Sequence, residues 1–323
     1  MKPELFIRAD GNPQIGLGHL VRCTALAHML KEDFEITFIC RDIPDAIVHE
    51  LIDSGFDCTK IKEETEFFGR INTYSIVVLD GYLFDTEYQR QIKAKGTMLV
   101  CIDDLHNNEF VADLIINHTP GIIPMDYKAQ PYTQFALGIE YALLRPAFLE
   151  QAKKKRSIVS IQTVLICFGG SDPKNLTQEV LQSVIEFPQL KKIFVVTGSA
   201  YFLTDSFKKL VASDTRIDHR HSLKEQQMID IMLVSDLAIV PASGILFEVL
   251  AVGCIVLTGS YIDNQDYILK GFSNLNAVEE SANISNPRKS ICKVINGTFN
   301  YKKSIIDGES DNRIKNKVKA LLI

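Results

Sequence analysis

His19 is the residue of this chain best placed for acid–base chemistry. It stands where Gly16-Leu17-Gly18 gives way to a helical pattern with Cys23, Leu26, Ala27 and Leu30 on one face, downstream of a short apolar strand at residues 5–9. A strand, a glycine-bearing loop and a helix in that order leave backbone N–H groups at the helix start, where an anion can sit. The positive end of that helix disfavours an imidazolium and leaves an imidazole able to accept a proton, which is what a general base requires. The same spacing also suits a tight turn followed by a merely polar histidine, and it does not match the dinucleotide fingerprint.

The elements that must position His19 follow the alternation of a parallel sheet. In the first half, strands are expected at residues 34–40, 57–61, 75–79, 98–102 and 112–116, with helices at 44–54 and 86–95 between them. Asp10, Tyr82, Asp103, Asp104 and Asn117 fall at strand ends, the side of an open parallel sheet where ligands lie, and they are expected around one cleft. Taken singly, Asp104 and Asn117 also suit ordinary turn or capping roles.

At Gln162 the alternation restarts. A strand at 163–168 runs into Gly169-Gly170-Ser171-Asp172 and a helix from about Leu176, so the strand, glycine and helix-start device occurs twice, as two walls of one cleft would require. Further on, a strand at 236–241, the turn Ala242-Ser243-Gly244 and a helix at 245–252 carry Glu248 in what reads as the first turn, with Gly253 in the C′ position. A glutamate there is usually a dipole partner, but past a parallel strand it can also accept two hydrogen bonds from a ribose diol. His219 and His221 share one face of a strand, with no carboxylate or cysteine spaced to make them metal ligands.

The whole-chain properties narrow the class. The 323 residues, 46% of them hydrophobic, suit two α/β domains, here expected at residues 1–148 and 162–306, with 149–161 as a linker around the basic run Lys153 to Arg156 and 307–323 as a C-terminal helix. That helix is amphipathic, with Ile314, Val318, Leu321 and Leu322 on one face. A net charge of −5 argues against bulk nucleic-acid binding, and no signal segment or stable membrane insertion is expected. Seven widely spaced cysteines read as reduced thiols of a cytoplasmic protein, without a disulfide frame, zinc site or other cofactor.

The ordered set Arg8-x-Asp10, Ile15-Gly16-x-Gly18-His19-x-x-Arg22-Cys23, Ile102-Asp103-Asp104, Leu144-Arg145-Pro146-x-Phe148, Phe168-Gly169-Gly170-Ser171-Asp172-Pro173, Ser243-Gly244-x-x-x-Glu248 and Asn264-Gln265 resembles the UDP-2,4-diacetamido-2,4,6-trideoxy-β-L-altropyranose hydrolases of pseudaminic acid biosynthesis. The resemblance implies the GT-B architecture of the peptidoglycan N-acetylglucosaminyltransferase, two Rossmann-like domains facing across a cleft. It further implies a monomer whose partners are a UDP-sugar and water. His19 then matches the family's base, acting on a water that attacks the anomeric carbon and expels UDP, and Tyr82 its sugar-contacting tyrosine. Gly169, Gly170 and Ser171 match the pyrophosphate loop, Glu248 the ribose ligand, and Asn264 with Gln265 the family's Asn-Gln pair; Asp10, Gly18, Arg22 and Ser243 complete the implied binding set. Asp10, Asp103 or Asp104 would orient the imidazole from behind. A glycosyltransferase of the same fold and a non-catalytic nucleotide-sugar binding protein are the alternatives, and residues 266–323 depart from the family pattern.

Overall fold

The structure is a computed structural model that describes residues 2–12, 16–297 and 305–322. It divides into two units, Met1–Pro146 with Glu309–Ile323, and Ala147–Gly308.

Unit 1 is built on a seven-stranded parallel sheet. Its strands are β1 (Glu4–Ala9), β2 (Glu35–Cys40), β3 (Asp57–Lys60), β4 (Ile76–Asp80), β5 (Met98–Ile102), β6 (Leu114–Asn117) and β7 (Gln134–Leu137), in the order β3-β2-β1-β4-β5-β6-β7. β1, β4 and β6 are almost wholly buried, as expected of central parallel strands covered on both faces. The helices are α1 (Gly18–Leu30), α2 (Asp45–Asp53), α3 (Glu64–Phe68) and α4 (Thr86–Lys93). Because β1 pairs with both β2 and β4, the strand order reverses between β1 and β4, and a ligand crevice is expected beyond their carboxyl ends. α1 starts beyond one of those ends, and β4 finishes on the buried Asp80 at the other.

Unit 2 repeats the plan with six strands. They are β8 (Thr163–Ile166), β9 (Lys192–Thr197), β10 (Ile217–His221), β11 (Leu237–Pro241), β12 (Ile255–Gly259) and β13 (Glu279–Glu280), in the order β10-β9-β8-β11-β12-β13 and parallel throughout. Its helices are α5 (Pro146–Ala152), whose first residue still belongs to unit 1, then α6 (Leu176–Val184), α7 (Asp205–Ala212), α8 (Glu225–Val234), α9 (Gly244–Ala251), α10 (Asp266–Asn274) and α11 (Arg288–Ile295). Here the order reverses between β8 and β11, which places the turns after Phe168 and after Pro241 at the second switch point. Gly253 ends α9 at a φ of 81°, as its C′ reading requires.

The segment 149–161 is not the plain linker its basic run suggests. α5 extends into it with Leu149 and Ala152 buried, and Arg156 donates to the carbonyls of Met232 (2.9 Å) and Ser235 (2.8 Å) at the end of α8. A cation on the last carbonyls of a helix satisfies groups the helix itself leaves open, so part of the run is packing rather than solvated surface.

The C-terminal helix α12 (Ser310–Lys319) packs on α1 within unit 1. Ile314, Val318 and Leu321 are buried, whereas Leu322 is half exposed because the last turn, Ala320–Leu322, tightens to a 3₁₀ helix and leaves the 3.6-residue period. Lys319 pairs with Asp33 at 2.5 Å, just beyond the other end of α1. Since Ile314 is fully buried, Ile314→Ala is expected to cost about 2–5 kcal/mol. A lowered thermal unfolding midpoint checks this; an unchanged midpoint would show that α12 adds nothing to the core.

Candidate active site

His19 is the second residue of α1, and its buried imidazole reaches across to the end of β4. Nδ1 lies 2.7 Å from Asp80 Oδ1. A nitrogen that close to a carboxylate oxygen carries the proton between them, so Nδ1–H donates to Asp80, with Arg22 Nη2 3.1 Å from the same nitrogen, and in a neutral imidazole the lone pair then sits on Nε2. The ring also packs edge-on against Tyr82, with centroids 4.8 Å apart. Asp80 is thus the carboxylate behind His19, a role the sequence reading gave to Asp10, Asp103 or Asp104. The signal was a charged residue closing an otherwise apolar central strand.

Arg22, one turn along α1, holds the cluster together. Its Nε and Nη2 donate to the two oxygens of Asp80, both at 2.6 Å, and its Nη1 to Asp104 Oδ2 at 2.9 Å. Tyr82 donates its hydroxyl to the same Asp104 oxygen at 3.0 Å. Burial by itself pushes the Asp80 carboxyl up, but the Arg22 charge and the hydrogen bonds from Arg22 and His19 outweigh it and hold it at about 2. With these donors on Asp80 and Asp104, Arg22 positions both carboxylates. Beside it lies a cavity of about 120 Å³, lined among others by Tyr82, Asp103, Asp104, Asn107 and Asn108.

The remaining strand-end residues divide. Asp103 accepts from the Tyr127 hydroxyl (3.0 Å) and the His106 backbone N–H (2.8 Å), and Asn117 donates to the Tyr127 oxygen at 2.8 Å. Burial raises the Asp103 carboxyl. Asp10 faces elsewhere: it pairs with buried Arg8 at 2.8 Å and accepts from the backbone of Arg41 (2.6 Å) and Asp42 (3.0 Å). Its carboxylate therefore fixes the loop after β2, and it neither reaches His19 nor serves as the implied substrate ligand. Arg8 is anchored in turn by Glu64 at 2.7 Å and by the Phe84 ring. Ile15, part of the quoted loop motif, lies outside the described residues.

In unit 2, Gly169, Gly170 and Ser171 follow β8. A Cβ on Gly198 would meet Gly170 Cα at 2.4 Å, so only glycine lets the turn after β9 press against this loop. By contrast, a Cβ on Gly170 or Gly244, or on Gly18 in unit 1, would meet nothing within 4 Å, so internal packing does not explain these glycines and space remains for a ligand against the backbone. The expected anion site at the start of α6 is already filled. Asp172 accepts from the N–H groups of Leu176 (2.9 Å) and Thr177 (2.7 Å) and so caps that helix itself. The start of α9, by contrast, has Ser243 as an N-cap without a side-chain hydrogen bond and no acidic residue in its first turn. Glu248 lies in the second turn of α9, not the first, which removes the dipole-partner reading. Gln265 is buried and accepts from the Tyr261 N–H at 3.0 Å, so it shapes its loop, with Asn264 beside it in the same 3₁₀ turn. His219 Nε2 and His221 Nδ1 both contact Thr197 Oγ1, at 2.9 and 3.1 Å. Among the described residues no group of three metal-ligating side chains occurs.

No protein-family model matches the chain. It is 26% identical to the spore coat polysaccharide biosynthesis protein SpsG of Bacillus subtilis over 84% of this chain and 81% of that one. It is 24% identical to the UDP-2,4-diacetamido-2,4,6-trideoxy-β-L-altropyranose hydrolase of Campylobacter jejuni, over 81% and 93%. An uncharacterized protein of Methanocaldococcus jannaschii is 25% identical over 86% of this chain, which spans 61% of that longer protein. In fold the chain is similar to MurG of Acinetobacter baumannii, with a TM-score of 0.65 at 11% identity over 99% and 100% of the two chains. Anabaena HepE, solved with UDP, gives a TM-score of 0.62 at 12% identity over 100% and 99%. The fold is therefore the α/β GT-B type, two parallel-sheet domains. No helix of the described residues is long and apolar enough to cross a membrane.

The charge cluster makes unit 1 acid-sensitive. Buried His118, which accepts the Leu143 N–H, is held neutral down to a pKa of about 3 by burial and by the charge of Arg22. An unfolded chain takes up that proton below about pH 6.5 and the folded one does not, so stability falls as pH drops from about 6.5 toward 3, by at most about 5 kcal/mol. The depressed Asp80 contributes about 2 kcal/mol that is present above about pH 4 and lost toward pH 2. Denaturant unfolding across pH 7 to 4 is expected to show this slope, flattened in His118→Gln. An equal slope in that variant would mean His118 is not the residue responsible.

Proposed function

We propose that the protein hydrolyses a UDP-linked acetamido- or amino-sugar, releasing UDP and the free sugar in surface-polysaccharide or nonulosonic (pseudaminic-type) acid synthesis. The observation that carries this is the His19–Asp80 pair at a parallel-sheet switch point, with Nε2 as the proton-accepting nitrogen. In this reading His19 Nε2 takes a proton from water as the water oxygen attacks the anomeric carbon, and the C–O bond to UDP breaks with its electron pair on the phosphate. Asp80 stabilises the imidazolium that forms and holds the ring in the productive tautomer, as an aspartate does behind a catalytic histidine. Tyr82, whose ring packs on His19, contacts the sugar.

The nucleotide is assigned to unit 2. The backbone of Gly169, Gly170 and Ser171 and the start of α9 at Ser243 and Gly244 bind the pyrophosphate, where N–H dipoles stabilise the leaving charge without a general acid. Glu248 holds the ribose diol, and Asn264 completes the pocket. The C. jejuni relative, named as a UDP-sugar hydrolase, and the UDP complex of the similarly folded Anabaena protein both support this reading. Transfer of the sugar to an acceptor is the second reading, favoured by the exposed Leu83 next to Tyr82.

Incubation with UDP-2,4-diacetamido-2,4,6-trideoxyhexoses, with water as the only acceptor, is expected to release UDP; release that requires an added lipid acceptor would favour transfer. His19→Asn is expected to keep nucleotide binding while lowering turnover by about 10²–10⁴, the usual contribution of a positioned base. Near-normal turnover in that variant would remove His19 as the base. Glu248→Ala is expected to weaken UDP binding by about 1.5–3 kcal/mol, the range for hydrogen bonds to a charged group. Titration calorimetry with UDP decides this, and unchanged affinity would place the ribose elsewhere.

A further inference from the structure

The cavity beside Arg22 is lined by a residue with a buried acceptor that has no donor among the described residues. Asp104 is 7% exposed and lines the cavity. Its Oδ2 takes hydrogen bonds from Arg22 and Tyr82, but its Oδ1 is buried without a hydrogen-bond partner among the described residues. A carboxylate oxygen removed from water and left unpaired is costly, and such an atom on a residue that lines a cavity calls for a donor.

Charge narrows the donor. Asp80 and Asp104 share the cation Arg22, so when His19 is the neutral base of the proposed function the cluster carries one uncompensated negative charge. Asp103 adds a second carboxyl group to the same wall. A hydroxyl or amide N–H would satisfy the Asp104 oxygen but not the charge, whereas an ammonium satisfies both. The side chains that line the cavity around Asp104 are in keeping with this: the amides of Asn107 and Asn108 and the Tyr82 hydroxyl all offer acceptor oxygens, and Arg22 is the one cation among the lining residues.

We propose that this cavity binds an ammonium group, a free amino substituent of the sugar, through Asp104 Oδ1. The inference rests on unit 1 binding the sugar, and it specifies a preference for a substrate carrying at least one unacetylated amine over its fully acetylated counterpart. Asp104 is then a specificity residue as well as an anchor for Arg22 and Tyr82.

Two pairs of probes test it. UDP-glucosamine is compared with UDP-N-acetylglucosamine, and UDP-2-acetamido-4-amino-2,4,6-trideoxyglucose with its 2,4-diacetamido counterpart, by UDP release and by calorimetric binding. In at least one pair the free amine is expected to be preferred by about 10- to 100-fold, the worth of a charge-assisted hydrogen bond. Asp104→Asn, checked for an unchanged unfolding midpoint, is expected to bring that ratio close to one. Equal or acetamido-favouring ratios in both pairs would overturn the ammonium site and leave hydrolysis standing, as would a preference that persists in the variant. Failure of all four probes to release UDP would count against hydrolysis instead, and the binding ratios would then decide the ammonium site alone. The wild-type comparison needs no variant, so the proposal is decided even if Asp104→Asn does not fold.

Discussion

The guanidinium of Arg22 is the interaction on which the rest of unit 1 depends. It enters from the second turn of α1 and bonds carboxylates at the ends of two neighbouring strands, β4 and β5. Two buried carboxylates that share one site repel each other, and a cation between them offsets that repulsion. Because Arg22 supplies that cation, Asp80 stays charged and can fix the tautomer of His19, while Asp104 can hold the Tyr82 hydroxyl. The helix register does the remaining work. His19 and Arg22 are three residues apart and so share a face of α1, which presents imidazole and guanidinium to the same strand end.

A second charge network performs a humbler task. Arg8 lies within β1, where a charged side chain is costly, yet Glu64, Asp10 and the Phe84 ring surround it. Through Asp10 it fixes the backbone at Arg41 and Asp42, and the Gly11 N–H bonds back to the Asp42 carbonyl at 2.8 Å. The stem of the loop that leads into α1 is thereby tied to the neighbouring strand end.

The alternation of strands and helices was legible because apolar runs ending in polar turns mark parallel strands: residues 98–102 form a strand with the expected bounds, and the strand expected at 236–241 forms at 237–241. What escaped was short or ambiguous: β7 is a four-residue edge strand of mixed polarity, and α3 is a single turn and a half rich in glutamate. Within the candidate site the residue types were legible and their partners were not. Asp10, Asp80, Asp103 and Asp104 all stand near strand ends, and the sequence cannot say which strands are neighbours. Only the order β1-β4-β5 shows that Asp80 faces His19 and Asp104 faces Arg22, while Asp10 turns toward β2. The helix-start rule misplaced the anion site for a related reason. Asp172 reads as a loop residue until its carboxylate is seen on the amides of α6.

The two units thus meet different physical demands with one architecture. Unit 1 concentrates charge: its switch point holds an ion-paired, buried cluster whose members fix one another, and such rigidity is what a base needs if its proton acceptor is to stay aimed. Unit 2 has Asp172 at its switch point, spent on capping α6, and otherwise offers backbone, through Gly169, Gly170, Ser243 and Gly244, with Glu248 set back by one helical turn. A pyrophosphate would be repelled by the carboxylates of unit 1 and welcomed by the bare amides of unit 2. A neutral or cationic sugar has the opposite preference. The division of labour proposed for the two units is in keeping with this difference in the groups that each switch point presents.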